Sequence, residues 1–512
     1  GAVTLNSDLL AKQAGTNFSN SLLVGTSSTG TLSSAEGNTG VGLGVFAALT
    51  SGDLNTAVGF DSLKVNTTGE QNTAYGACSL NANTTGSRNV AIGRHALDTN
   101  VSGNSNTAIG DQSLFANTAS NNTAVGFFSM ADNTSGSSNT GLGQNALSNN
   151  TTGNQNVAVG ADSMVDNTTG CDNVALGDNA LQKNTTGLDN VALGANAIFT
   201  KTTGNGNIGI GRNALYYTTT ASSNVAIGYN AMVTNTTGAV NTAIGNESLY
   251  SNTTGTENVA VGADALKANT TANSNTAVGA DSLEKNTTGA GNTGMGYIAL
   301  CQNTTGANNT AVGRKALWCN TTASNNTAVG NEALDANTEG HSNVAVGKGS
   351  LSSNTTADQN TAVGFNALAD NTTASGNTAV GVSALLTNTT GAALVAIGGN
   401  ALYANTTGSN NVSIGHSNLE SNTTGSENTT AGKGAMAANT TGSRNVSIGR
   451  DSLNANTSGA DHTAVGMDAL GDMTSGGCNT GLGRYAGSEI TTGSNNSVIG
   501  FNGQASSATV SN

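Results

Sequence analysis

Apolar and polar residues recur along this chain with one fixed spacing. Residues 308–340, NNTAVGRKALWCNTTASNNTAVGNEALDANTEG, contain the motif NTAVG-x-x-AL-x-x-NT twice, seventeen residues apart. The glycine that closes NTAVG stands at Gly25 and at every seventeenth residue to Gly110, follows at Gly126 after a sixteen-residue step, and then recurs every seventeen residues to Gly500. This period predicts about 29 copies of one small structural unit.

We number each unit from the asparagine of NTAVG. Position 1 is Asn, position 2 Thr or Val, position 3 Ala or Gly, position 4 Val, Ile or Leu, and position 5 Gly. Ala or Ser and then Leu or Met follow at positions 8 and 9, and Asn-Thr-Thr-Gly occupies positions 12 to 15. The period of two in positions 1 to 5 predicts a short strand with bulky Thr, Val and Ile on one face and Ala and Gly on the other. A second short strand is expected around Ala-Leu, with Asn-Thr-Thr-Gly as the turn between units.

Units with only one or two large side chains each must stack on one another to form a core. Frequent glycine and the lack of an apolar 3.6-residue period argue against helices. The sequence therefore predicts an all-β fold, a parallel β-solenoid or β-roll of about 29 coils with a 17-residue repeat. The sixteen-residue step falls in residues 117–120, inside the expected turn, where a residue can be lost without changing the register of the strands.

The repeats divide the chain into three segments. Residues 1–19 are a lead-in, residues 20–504 form the solenoid shaft, and residues 505–512 are a tail that we expect to lead into a further segment. The first residue is not Met, and the basic-then-apolar order of a signal peptide is missing. We therefore expect the chain to be processed or cut from a longer gene product.

Position 12 predicts a column of stacked asparagines. It is Asn throughout 66–456 except at Lys201 and Thr218, and it becomes apolar near the ends of the array, at Leu32, Leu49, Met473 and Ile490. A position that exchanges Asn for Leu, Met and Ile is expected to face inward, where stacked amides can hydrogen-bond from coil to coil. Representative members of the predicted ladder are Asn66, Asn83, Asn100, Asn252, Asn303, Asn354, Asn405 and Asn456. Position 1 offers a second such column, broken by Leu394 and His462; for both columns the alternative is a solvent-facing turn asparagine.

The small-residue face of the strand predicts association between chains. Each unit supplies roughly two sizeable apolar side chains to offset the ordering of seventeen residues, so we expect the Ala/Gly face to be buried against other copies of the chain. Identical parallel chains would form a symmetric homotrimer or dimer. Monomeric solenoids also exist, and exposed solenoid ends invite end-to-end assembly.

Composition and charge exclude several classes of function. The net charge is −14 with only 16 Lys plus Arg, which argues against nucleic-acid binding, and the chain lacks the run of about 18 apolar residues that membrane insertion needs. Five cysteines without a CxxC motif and four scattered histidines predict no metal site, and no catalytic constellation or phosphate-binding motif is present. We therefore predict no cofactor and no enzymatic activity. Acidic residues at position 7 are expected to be a solvated edge instead of a calcium site.

Aromatic residues gather at position 10. They are Phe115, Phe199, Tyr216, Tyr250, Trp318 and Tyr403. Exposed rings can stack on the sugars of a host-surface glycan or receptor, although rings in this position would more often cover an apolar edge between chains.

The motifs NVAIG (89–93, 224–228) and NVSIG (411–415, 445–449) resemble the head repeats of trimeric autotransporter adhesins. The fuller unit NTAVG-x-x-AL-x-x-NTTG resembles shaft repeats of bacteriophage tail fibres, particularly those of phages of marine cyanobacteria. In such fibres the shaft often precedes an intramolecular chaperone of the endosialidase type. Residues 20–32, NSLLVGTSSTGTL, and 506–512, SSATVSN, look like the segments that flank these arrays. The resemblance implies a left-handed, trimeric β-roll.

These observations lead to one principal functional expectation and two alternatives. The principal one is a structural protein of the virion, a trimeric tail-fibre shaft that projects a receptor-binding tip for host attachment. The first alternative is a bacterial cell-surface adhesin or a self-assembling extracellular filament. The second is ice binding by the regular threonines of positions 13 and 14.

Overall fold

The structure, a computed structural model, describes residues 17–25, 29–200 and 203–504. Most of the lead-in assigned to residues 1–19, the whole tail assigned to 505–512, and Lys201 lie outside these residues. The chain divides into two compact units, one up to Thr256 and the other from Glu257 onward.

Every unit of the repeat contributes one short strand. In the first compact unit the strands are β1 Phe18–Ser19, β2 Leu22–Val24, β3 Ala35–Glu36, β4 Thr39–Val41, β5 Thr56–Val58, β6 Thr73–Tyr75, β7 Val90–Ile92, β8 Thr107–Ile109, β9 Thr123–Val125, β10 Thr140–Leu142, β11 Val157–Val159, β12 Val174–Leu176, β13 Val191–Leu193, β14 Ile208–Ile210, β15 Val225–Ile227 and β16 Thr242–Ile244. In the second they are β17 Val259–Val261, β18 Thr276–Val278, β19 Thr293–Met295, β20 Thr310–Val312, β21 Thr327–Val329, β22 Val344–Val346, β23 Thr361–Val363, β24 Thr378–Val380, β25 Val395–Ile397, β26 Val412–Ile414, β27 Thr429–Ala431, β28 Val446–Ile448, β29 Thr463–Val465, β30 Thr480–Leu482 and β31 Ser497–Ile499.

Strands of successive units stack in parallel and in register. In the pairing of β20 with β21, Thr310 lies beside Thr327, Ala311 beside Ala328 and Val312 beside Val329. The described residues form a parallel β-solenoid of about 28 turns with a 17-residue repeat and contain no helix, so the predicted fold class is confirmed. β1 and β3 form a separate two-stranded parallel sheet beside the first coils.

The sixteen-residue unit keeps the register of its neighbours. β8 pairs with β9 through Thr107 with Thr123 and Ile109 with Val125, the same register as in the pairing of β20 with β21. The amide of Asn106 donates to the carbonyl of Ala119 at 2.8 Å, so Ala119 takes the place of the position-15 glycine and the missing residue lies in the turn. The prediction that the loop absorbs this deletion is confirmed.

The second strand predicted around Ala-Leu is wrong. Residues of this segment form a tight turn in which positions 7 and 9 adopt positive φ, for example 58° at Glu332 and 55° at Leu334. Ala333 and Leu334 are adjacent in sequence and both are fully buried. A strand would direct neighbouring side chains to opposite faces, so only a turned backbone can bring both into the core.

The predicted burial of the Ala/Gly face against other chains is also wrong. Ala328 on β21 is fully buried by its own coil, whereas Val329 beside it remains 36% exposed on the outer surface. Positions 1, 3, 8, 9 and 12 all face inward, and Asn326, Ala333, Leu334 and Asn337 have no exposed surface. The interior of a seventeen-residue coil holds one Leu and two Asn per layer, which leaves room for only a small side chain from the strand.

Candidate functional site

Asparagines of position 12 form a hydrogen-bonded ladder inside the coil. The amide nitrogen of Asn83 donates to the side-chain oxygen of Asn66 at 2.8 Å, and that of Asn303 donates to Asn286 at 2.7 Å. The same bond to the preceding unit is made by Asn100, Asn252, Asn354, Asn405 and Asn456, at 2.8 to 3.1 Å. Each amide also donates to the carbonyl of position 15 in its own unit, as Asn66 does to Gly69 at 3.0 Å. These asparagines are structural groups and are closed to solvent and ligands.

Apolar residues end this ladder where the sequence placed them. Leu49 and Met473 are fully buried, and Ile490 is 1% exposed. Leu32, by contrast, is only partly buried. Thr218, which interrupts the column, is fully buried and its hydroxyl has no hydrogen-bond partner.

Asparagines of position 1 form a second ladder. The side-chain oxygen of Asn55 accepts the backbone N–H of Asn72 at 3.0 Å and its amide N–H at 3.1 Å. The amide of Asn55 donates to Gly69, whose carbonyl therefore receives both asparagines of its coil. Each layer is thus tied across its interior and to the next layer by the same two side chains.

Threonines of position 13 add a third column that the sequence did not reveal. The hydroxyl of Thr67 donates to the backbone carbonyl of Thr84 at 3.0 Å, and Thr406 does the same to Thr423 at 3.0 Å. The signal in the sequence was the regularity of Thr at this position, which we interpreted as a turn and, in one alternative, as an ice-binding surface. Since the position-13 hydroxyl proton is engaged between coils, ice binding by positions 13 and 14 would depend on the exposed threonines of position 14.

His462 replaces asparagine in the position-1 ladder and makes only some of the hydrogen bonds that an asparagine makes there. Its backbone N–H donates to Asn445 at 2.9 Å, and its Nδ1 accepts the backbone N–H of Asn479 at 3.2 Å. Nε2 is buried without a partner. Burial lowers the pKa of the His462 imidazole from 6.5 to about 4, a shift that neighbouring Asp461 opposes. Protonation would place a hydrogen on Nδ1, facing the Asn479 N–H.

We expect the coil that contains His462 to lose stability at acid pH, and we expect substitution by asparagine to abolish this loss. Because the folded pKa lies below the unfolded one, the native state binds fewer protons between pH 6.5 and 4, and stability is lost as pH falls through this window. The loss from this group is about 3 kcal/mol by pH 4. His462→Asn restores the ladder residue and should abolish it, whereas the same change at exposed His416 should not. Urea unfolding at pH 7.5 and 4.5 tests this; equal pH dependence in wild type and His462→Asn would contradict it.

Three cysteine thiols among the described residues have a raised pKa. Burial and the carboxylate of Glu284 raise the pKa of the Cys301 thiol to about 12, which keeps it protonated and unreactive. Burial likewise raises the pKa of Cys319 and Cys78. Within residues 17–25, 29–200 and 203–504, no group of three or more His, Cys, Asp or Glu side chains is arranged to hold a metal ion.

The six aromatic residues predicted at position 10 are all partly buried, and the structure stacks two of them, Phe199 and Tyr216, on each other. The rings of Phe199 and Tyr216 stack with centroids 4.9 Å apart and planes 9° from parallel. Phe115 packs against His95, and Trp318 lies under the ammonium of Lys315, 5.2 Å from the ring centroid. Each of these contacts covers part of a ring. Trp318 and Tyr403 lie in the second compact unit, whereas the other four aromatic residues lie in the first.

Tyr216 and Tyr250 help to line an open groove of about 350 Å³ in the first unit. The other lining residues are Asn196, Asn213, Tyr217, Tyr229, Asn230 and Val233. We name these eight residues the tyrosine groove. Sequence reasoning missed Tyr217 and Tyr229 because it searched one column, whereas the groove draws on positions 6, 7, 10 and 11 of neighbouring units. Four tyrosines within 216–250 were the available signal.

A column of amides runs through the tyrosine groove. Asn196 donates to the side-chain oxygen of Asn213 at 3.3 Å, and Asn213 donates to Asn230 at 3.0 Å. Side chains of positions 7 and 10 are neighbours on the surface of a coil, as the 2.9 Å ion pair of Asp61 with Lys64 illustrates. Amide and ring therefore alternate across the groove. Tyr217 is 49% exposed and Tyr229 is 50% exposed, so their rings are open to a ligand.

Neither a comparison with protein-family models nor a search of curated proteins gave a match to this chain. In the part of the chain that the structure describes, no helix is both long enough and apolar enough to span a membrane.

Proposed function

We propose that this chain is a structural fibre protein, the shaft of a phage tail fibre that holds a receptor-binding tip away from the virion. The observation that carries the proposal is the parallel, in-register stacking of strand after strand among the described residues of each compact unit. Successive layers are joined by parallel strand pairing, two asparagine ladders and the threonine hydroxyls. Bending such a stack would stretch all four sets of hydrogen bonds, so stiffness follows from the repeat, and the number of units sets the length.

We further propose that the shaft is a homotrimer that associates through the outer face of the strands. Position 4 exposes an aliphatic side chain in many coils, for example 36% at Val125 and 44% at Ile414. A long apolar stripe on a soluble protein is typical of an interaction surface. Because each copy carries the same stripe with the same spacing, parallel copies can match layer by layer.

Charges placed on this stripe are expected to dissociate the trimer. The triple variant Val329→Lys, Val346→Lys and Val363→Lys alters three adjacent strands whose valines are each 36% exposed. The wild-type chain should have a native mass of three times 50.2 kDa, and the variant a mass of 50.2 kDa. Lysines in the exposed turn, at Thr288, Thr305 and Thr322, serve as the matched control and should leave the trimer intact. A monomeric wild-type chain would refute the trimer and leave the shaft proposal standing.

Location distinguishes the shaft from the second candidate, a cell-surface adhesin. The tyrosine groove favours the adhesin, since a spacer needs no ligand site along its length. Gold-labelled antibodies against the chain, viewed by electron microscopy, should mark fibres on phage particles if the shaft proposal holds. Label confined to the surface of uninfected cells would overturn it in favour of the adhesin.

A further inference from the structure

We propose that the tyrosine groove is a carbohydrate-binding site for a short, uncharged oligosaccharide. The inference concerns the four coils that contain β13 to β16, in the first compact unit, and holds whether the chain is a phage shaft or an adhesin. It rests on the convergence of four tyrosines and three asparagines in one groove.

The rings supply the apolar half of sugar recognition. A pyranose has one face made of C–H groups, which packs against the flat face of an aromatic ring, and a rim of hydroxyls. Tyr217 meets Tyr216 nearly at right angles, with centroids 4.6 Å apart and planes at 77°. Stacking on Phe199 fixes the Tyr216 ring in turn. The groove therefore offers aromatic walls that are held in place before a ligand arrives, which lowers the entropic cost of binding.

The amides supply the polar half. An asparagine side chain has two N–H donors and an oxygen with two lone pairs. Within the ladder Asn213 uses one donor towards Asn230 and one lone pair towards Asn196. The second N–H and the second lone pair of Asn213 can pair with the acceptor and the donor of neighbouring sugar hydroxyls. The amides repeat once per coil, about 4.8 Å apart, close to the rise of one sugar in an extended β-linked chain.

Charge selects a neutral ligand. None of the eight lining residues carries a formal charge. Among the residues that continue the same columns, Arg212 at position 6 and Glu247 at position 7 carry opposite charges. The chain as a whole has a net charge of −14, which disfavours acidic polysaccharides and nucleic acids. A cavity of about 350 Å³ lies at the small end of the range for ligand sites, enough for two or three sugar units.

Binding of defined hexasaccharides to the full-length chain tests the proposal. Cellohexaose, chitohexaose and maltohexaose are the neutral probes, a hexamer of mannuronate is the charged probe, and a proline-rich decapeptide tests the other ligand class that aromatic grooves accept. Isothermal titration calorimetry measures affinity, and tyrosine fluorescence reports contact with the rings. We expect saturable binding of at least one neutral hexaose and weaker or no binding of the mannuronate hexamer and of the peptide.

Variants locate the binding site. Tyr217→Ala and Tyr229→Ala should each weaken binding about tenfold, and the double variant should abolish it. Asn213→Ala should weaken it about fivefold. Tyr297→Ala removes a tyrosine of the second compact unit that is 53% exposed and stands at the same position 6 as Tyr229, and it should leave affinity unchanged. Tyr217→Phe and Tyr229→Phe keep the rings, so they should retain most of the affinity even if an alanine variant unfolds locally.

Three outcomes would overturn the inference. The first is no saturable binding of any neutral hexaose. The second is binding that survives the double alanine variant when that variant melts like wild type. The third is a preference for the proline-rich peptide, which would make the groove a protein-docking site. None of these results bears on trimer formation or on location in a virion, so failure here and failure of the shaft proposal are distinguishable.

Discussion

Replacing Gly364 by alanine is expected to lower the free energy of unfolding of the surrounding coils by about 5 kcal/mol. Gly364 holds position 5, immediately after β23, with φ of +141°, a region that side-chain-bearing residues rarely adopt. A Cβ there would collide with the backbone carbonyl oxygen of Gly381 in the next coil and approach its carbonyl carbon to 2.7 Å. Backbone atoms held by strand pairing on both sides cannot move aside, so strain and overlap add.

Gly376 is a matched control within the same coil. Its φ is +73°, and a Cβ would meet no atom within 4 Å. Residues other than glycine adopt similar φ at the same position of other units, for example 59° at Gln359. Gly376→Ala should therefore cost about 1 kcal/mol at most. Hydrogen exchange of the amides around β23 and β24, together with urea unfolding, measures both variants, and equal destabilisation would show that close stacking at position 5 is not the constraint.

Replacing Asn428 by alanine is expected to cost about 4 kcal/mol, the second-largest effect. The side-chain oxygen of Asn428 accepts the backbone and side-chain N–H groups of Asn445, each at 3.0 Å. Its own amide donates to Gly442 at 2.9 Å and to Asn411 at 3.1 Å. Alanine would leave the buried backbone N–H of Asn445 without an acceptor and open a cavity in the layer. Loss of a buried partner costs more than the bond itself contributes.

The exposed Asn454 provides the control for this substitution. It lies in the second compact unit, at position 10 of the repeat that begins at Asn445, and it is exposed to solvent. Asn454→Ala should change the free energy of unfolding by less than about 0.5 kcal/mol. Protection against hydrogen exchange should fall in the coils on both sides of Asn428 and persist far from it, because coils interact mainly with their neighbours. Undiminished protection in Asn428→Ala would mean that the ladder is not what holds adjacent layers together.

The interior of the solenoid was largely predictable because burial leaves a trace in the repeat itself. The exchange of Asn for Leu49, Met473 and Ile490 at position 12 predicts that this column faces inward. The single sixteen-residue step also predicted the position of the turn, because a turn can lose a residue without changing the register of the strands. The hydrogen bond of position 13 was not predicted because Thr is equally compatible with a turn and with a hydrogen bond between coils.

The surface was less predictable, and the tyrosine groove shows why. Its residues are Tyr216 and Tyr217 from one coil, Tyr229 from the next and Tyr250 from a third. Which positions lie next to one another on the surface depends on the backbone conformation of positions 6 to 11. The sequence predicted a strand in this segment, whereas the structure has a turn. Only the positive φ values within the turn bring positions 7 and 10 side by side.

The sequence by itself determined the period, the parallel in-register stacking and the two asparagine columns, since these follow from identical units that cannot form a core alone. Only the tertiary structure decided which face of the strand is inside. Alternation along a strand assigns residues to two faces and is symmetrical between them. The closure of a narrow coil breaks that symmetry: one Leu and two Asn already fill the interior, so Ala328 turns inward and Val329 turns outward.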